Sequence, residues 1–101
     1  MKKLTFNIAV SVWLYPGDYA SWHFVTVPKK ESSEISEHYA QFKKGWGSLP
    51  VEVTLGKTVW KTSIFPDRKS GTYILPLKAS VRKSEGVRES DKVTIKFSII
   101  V

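Results

Sequence analysis

Leu4-Thr5-Phe6-Asn7-Ile8-Ala9-Val10-Ser11-Val12-Trp13-Leu14 is the stretch on which the architecture turns. Its even positions are all apolar, while the odd ones include Thr5, Asn7 and Ser11. Alternation with a period of two predicts a long strand with one buried face, because successive side chains of a strand leave opposite sides. The far end of the chain repeats the pattern, with Val93, Ile95, Phe97, Ile99 and Val101 alternating over Lys92 to Val101. Two long amphipathic strands at opposite ends can pair with each other. That pairing would close the sheet and remove its exposed edges, so a barrel is expected rather than an open sheet.

The elements between them follow from punctuation and spacing. Pro16-Gly17-Asp18 ends the first strand as a turn, and Ala20 to Val27 reads as a second strand forming a hairpin with the first. A helix is expected after Pro28. Ser32 and Ser33 would cap it, Glu31, Glu34 and Glu37 lie at its positive end, and Lys43, Lys44 and Gly45 close it. Ile35, Tyr39 and Phe42 would form its buried stripe. Pro50 to Leu55 and Thr58 to Phe65 read as a hairpin across Gly56-Lys57, and Pro66 to Gly71 as an exposed loop. Thr72 to Leu75 is a short strand stopped by Pro76. Leu77 to Glu85 is a short helix stopped by Gly86, with Val87 placed for a C-cap contact. The expectation is one mainly β domain, residues 1–101, with about six strands and two short helices.

Bulk properties narrow the function classes. The chain has 101 residues and no cysteine, so disulfides and thiolate zinc sites are excluded. The apolar residues after Met1-Lys2-Lys3 alternate instead of running unbroken, which argues against a signal peptide, and no stretch reaches the length of a membrane span. A cytoplasmic protein of a bacterium-like cell is expected, with no membrane partner. Sixteen basic against nine acidic residues give a net charge of +7. Residues 1–50 hold six basic and four acidic groups, and residues 51–101 hold ten and five. The excess favours anionic partners. It also suits a domain kept soluble by like charge, since the basic residues are scattered.

No catalytic constellation is legible. His23 lies between Trp22 and Phe24, His38 lies on a polar helix, and neither has a nearby Asp, Ser or Cys pattern. Two isolated histidines make a poor metal set, and structural or surface roles are expected for both. Thr62-Ser63 beside Lys61 and Lys78 could suggest an activated hydroxyl. Ordinary cross-strand hydroxyls are the simpler reading. No cofactor and no metal are expected.

Binding is the better prospect. Trp22, Trp46, Trp60 and Tyr73 offer large faces with polar handles, suited to a core and to stacking alike. A groove lined by Trp46, Trp60, Lys61, Tyr73, Lys78, Arg82 and Lys83 would suit a small anionic or aromatic ligand, because cations beside exposed rings are what such a ligand uses.

Five ordered blocks carry a family resemblance: Trp46-Gly47-Ser48-Leu49-Pro50-Val51, Trp60-Lys61-Thr62-Ser63-Ile64-Phe65-Pro66, Tyr73-Ile74-Leu75-Pro76-Leu77-Lys78, Val81-Arg82-Lys83 and Asp91-Lys92-Val93. Together with Phe6 and Trp22-His23-Phe24-Val25, the set resembles the bacterial family known as domain of unknown function nineteen-hundred-five. The resemblance implies a double-split β-barrel. It also implies a family found alone or fused to a YdeI/OmpD-associated domain, with no activity established. Locally, Leu75 to Val93 is similar to the half-barrel unit of AbrB-type transition-state regulators, with Ser90 where that unit has Gly, the residue that tolerates φ > 0. The expected function is a non-enzymatic binding module, monomeric or homodimeric. The alternatives are a dimeric nucleic-acid-binding protein of AbrB-like architecture and an interaction domain for a YdeI-type protein.

Overall fold

In the computed structural model, the described residues are 4–16, 22–42 and 47–101, with Phe42 described by its backbone only. Gly17-Asp18, the helix-end residues Lys43, Lys44 and Gly45, and Trp46 therefore lie outside the described residues. The strands are β1 (Thr5–Ser11), β2 (Trp13–Leu14), β3 (His23–Val27), β4 (Leu49–Leu55), β5 (Thr58–Asp67), β6 (Thr72–Pro76) and β7 (Lys92–Ile99). The helices are α1 (Lys29–His38) and α2 (Ala79–Glu85), with a 3₁₀ turn over Ala40–Phe42.

The two ends of the chain do pair. β1 runs antiparallel to β7 from Thr5 opposite Ser98 to Ser11 opposite Lys92. Phe6 stacks on Phe97 with ring centroids 5.4 Å apart, and Ile8 faces Ile95. The full order is β1-β7-β4-β5-β6-β3-β2. Since β2 continues β1 after the single residue Val12, the order returns to its own start and the sheet is a nearly closed barrel. Val12 is also why seven strands stand where about six were expected. Its N–H donates to the Asp91 carbonyl (2.9 Å) and its carbonyl accepts from the Ser90 N–H (2.7 Å). That exchange with the loop before β7 interrupts the strand, and the chain passes from β7 on one side to β3 on the other.

Alternation places the core. On β4, Leu49, Val51, Val53 and Leu55 are buried, and on β7 Ile95, Phe97 and Ile99 are buried. The β4–β5 hairpin turns at Gly56, whose φ of +60 is the left-handed region that the first position of a tight hairpin turn requires. β5 runs on through Pro66 to Asp67, further than the expected end at Phe65.

Helix α1 differs from expectation at both ends. Pro28 occupies its N-cap, and no side chain caps it. Ser32 is instead buried inside the first turn: its hydroxyl donates to the Val27 carbonyl (2.9 Å) and accepts from the Tyr73 N–H (3.0 Å), tying α1 to β3 and β6. The helix ends at His38, where Tyr39 turns inward. Ile35 and Tyr39 are buried as expected, and the Tyr39 hydroxyl accepts the Leu4 N–H (3.1 Å).

Helix α2 ends at Gly86, with φ of 66, and the Val87 N–H reaches back to the Arg82 carbonyl (2.9 Å). This is the expected C-cap, and Val87 packs against the core. Ser90 adopts a φ of 75 despite its side chain. The Asp91 carboxylate accepts the Arg88 N–H (2.8 Å), so the turn is held without a glycine. Among the described residues, no helix is long and apolar enough to cross a membrane.

Candidate functional site

The site begins where a ladder stops. β5 pairs with β6 only from Asp67 opposite Thr72 to Phe65 opposite Ile74. Carried on in the same register, Thr62 would face Leu77, Lys61 would face Lys78 and Trp60 would face Ala79. Pro76 has no N–H to continue the ladder, and the Leu77 N–H goes the other way, to the His23 carbonyl (2.8 Å). The chain then turns into α2. β5 meanwhile stays with β4 from Ile64 back to Thr58. The strands diverge, and the residues of the unmade ladder line a cleft of about 430 Å³. A cavity of this size lies within the range of small-ligand sites.

Both surfaces of the barrel wall contribute to it. Trp60 and Thr62 come from β5, Leu77 and Lys78 from the link between β6 and α2, Arg82 from within α2, and His23 from the start of β3 with Trp22 just before it. Trp60 is 7% exposed and Trp22 is 58% exposed, so one indole is wall and the other is rim. The Trp60 Nε1–H has no hydrogen-bond partner despite its burial. A buried donor left unpaired costs about 1–3 kcal/mol.

Arg82 is half-buried, and its Nε donates to the Leu77 carbonyl (3.0 Å). That bond fixes the guanidinium against the cleft wall. Lys61 and Lys78 are exposed at the mouth. Lys61 has Glu52 opposite it on β4, so part of its charge is offset, and no carboxylate lines the cleft among the described residues. An anion meets net positive charge here.

Four of the residues expected in a groove are thus brought together: Trp60, Lys61, Lys78 and Arg82. Trp46 lies outside the described residues. Tyr73 does not line the cleft. It is a core residue of β6 at 3% exposure, with its hydroxyl buried and unpartnered. Lys83 faces a neighbouring depression, lined also by Ala79, Arg82, Gly86, Val87 and Arg88. Trp22, His23 and Thr62 belong to the wall although the sequence singled out none of them as lining the groove. The interrupting Pro76 was the legible sign that the ladder ended there, but the register that sets β3 beside it was not readable.

A second feature adjoins the cleft. Trp13, Tyr15, Trp22 and Phe24 cluster on the outer face of β2 and β3. Centroids are 5.2 Å apart for Trp13 and Phe24, 5.9 Å for Tyr15 and Phe24, and 6.3 Å for Trp22 and Phe24. The Trp22 and Phe24 ring planes lie 12° apart. The Trp13 Nε1–H donates to the Thr26 hydroxyl (2.9 Å), which anchors the group to β3. Phe24 is buried beneath these rings yet is no part of the core cluster. Among the described residues, Tyr15, Trp22 and Phe24 line an apolar slot of about 290 Å³.

No curated protein matches the chain. A family model does match, over residues 9–97, and it contains all of the cleft residues: the chain belongs to the family described as Domain of unknown function (DUF1905).

Proposed function

We propose that the chain is a non-enzymatic binding module and that the cleft between β5 and β6 is its site. The ligand class is a small molecule with an anionic group and a flat or apolar body. One observation carries this reading: a concave site of about 430 Å³ with Trp22 and Trp60 beside Lys61, Lys78 and Arg82, and no lining carboxylate among the described residues. The apolar wall removes the ligand from water, and the cations fix its orientation, which is how small-molecule sites divide these tasks. Arg82 is the principal anchor, since a guanidinium already held by a carbonyl loses little freedom on binding an anion. A cytoplasmic location belongs to the same proposal.

The test is a tryptophan-fluorescence titration against a panel of metabolite anions with and without aromatic rings. At least one ringed anion is expected to bind, and Arg82→Ala is expected to weaken it about tenfold or more, the loss of a charge-assisted hydrogen bond. A broad panel that leaves the fluorescence unchanged would refute the pocket reading and leave a protein-interaction domain.

A further inference from the structure

We infer that the cleft is the middle of a track for single-stranded nucleic acid, running from the aromatic slot through the cleft to the basic groove beside α2. The inference rests on the reading of the cleft as an anion site and extends it to a polymeric ligand.

Three depressions share walls in sequence along the surface. Trp22 belongs both to the aromatic slot and to the cleft. Ala79 and Arg82 belong both to the cleft and to the groove, which adds Lys83 and Arg88. The chemistry changes along the row from rings alone, to rings with cations, to cations. No carboxylate lines any of the three among the described residues.

Each part asks for a different piece of one ligand. The slot offers flat apolar faces with Trp22 and Phe24 nearly parallel, and exposed tryptophan and tyrosine accept the face of any base. The cleft and groove hold Lys61, Lys78, Arg82, Lys83 and Arg88, more positive charge than one carboxylate would use. A nucleotide strand has bases and phosphates separated by a sugar, and its successive phosphates can follow the row from cleft to groove. Rings on which bases stack beside a cationic path are the general solution for single strands. The excess of basic over acidic residues in the second half of the chain matches this partner in sign.

The experiment measures fluorescence anisotropy of a labelled oligothymidylate with the full chain, in competition with thymidine monophosphate, a duplex and inorganic polyphosphate. The single strand is expected to bind most tightly, with a salt slope of about −2 for roughly three neutralised phosphates. Tyr15→Ala changes the slot alone and is expected to weaken the strand about tenfold, the loss of one stacked base, with no effect on an anion seated in the cleft. Lys83→Ala changes the groove alone and is expected to lower the salt slope. Circular dichroism of each variant checks that the barrel is intact.

Polyphosphate binding as tightly as the strand, or Tyr15→Ala leaving the affinity unchanged, would overturn the role of the slot. Thymidine monophosphate binding as tightly as the oligomer would remove the track and leave the small-ligand site in place. So would a panel in which a ringed metabolite binds and no nucleic acid does. If nothing in either experiment binds, both readings fall.

Discussion

Three residues carry tensions that mutation can read. Ser90 holds a left-handed backbone with a φ of 75, a conformation that costs a residue with a Cβ about 1–2 kcal/mol. Glycine relieves that strain, while its greater freedom in the unfolded chain takes back part of the gain. Ser90→Gly is therefore expected to stabilise the domain by up to about 1 kcal/mol, raising the melting temperature by several degrees on a thermal scan. Ser32 has the opposite sign. Its buried hydroxyl satisfies both the Val27 carbonyl and the Tyr73 N–H, and Ser32→Ala strands both groups. A loss of about 1–3 kcal/mol is expected, seen as a lower urea midpoint with an unchanged slope. Trp60 is the residue at which stability and binding meet. Trp60→Phe removes a buried donor that has no partner in the protein, so both the stability and the cleft wall should suffer only from the smaller ring.

Among the elements, α2 and the β4–β5 hairpin are coupled through Glu85. Its carboxylate accepts the Lys57 N–H (3.3 Å) and the Thr58 hydroxyl, so the last turn of the helix caps the hairpin turn. Two glycines at positive φ differ in what surrounds them. A Cβ on Gly86, with φ of +66, would meet nothing within 4 Å, whereas one on Gly56, with φ of +60, would collide with the Glu85 carboxylate. Gly86→Ala is expected to cost about 1 kcal/mol. Gly56→Ala should cost more, and chemical denaturation of the double variant with Glu85→Ala should show the excess disappear. At this scale the sequence was informative wherever an element ended on a residue with its own backbone rule. Gly56, Pro76 and Gly86 mark their boundaries where expected. Ser32 was misread because a serine near a helix start is normally a cap, and only the packing of α1 on β3 and β6 turns it inward.

At the scale of the whole molecule, closure depends on contacts between residues about ninety positions apart. Phe97 is fully buried and stacks on Phe6 across the β1–β7 seam. Phe97→Ala is expected to cost about 3–5 kcal/mol, a large share of the stability of a domain this size, measured by calorimetry or denaturant. Pairing so distant in sequence also implies slow folding, on the order of milliseconds to seconds in stopped-flow experiments. The net charge of +7 repels itself in the compact state. Raising salt from about 0.02 to about 0.2 M, which shortens the screening length severalfold, should therefore raise the melting temperature. The same salt should weaken any anion held in the cleft, so stability and binding will move in opposite directions.

Period-two patterning at both chain ends, the glycine and proline stops and the helix-end signals were all properties of local sequence, and they determined a mainly β barrel with two short helices. They could do so because alternation, turn chemistry and capping act within a few residues of the chain. The cleft is different in kind. It exists because β5 follows β4 while β6 leaves it for α2, which sets Trp60, Lys61 and Thr62 beside Pro76, Leu77 and Lys78. Trp22 and Trp60 have much the same local signature, yet one is buried and the other stands at the rim. Only the register of strands distant in sequence decides which indole faces the core, and hence only the tertiary structure reveals where the chain is open to a partner.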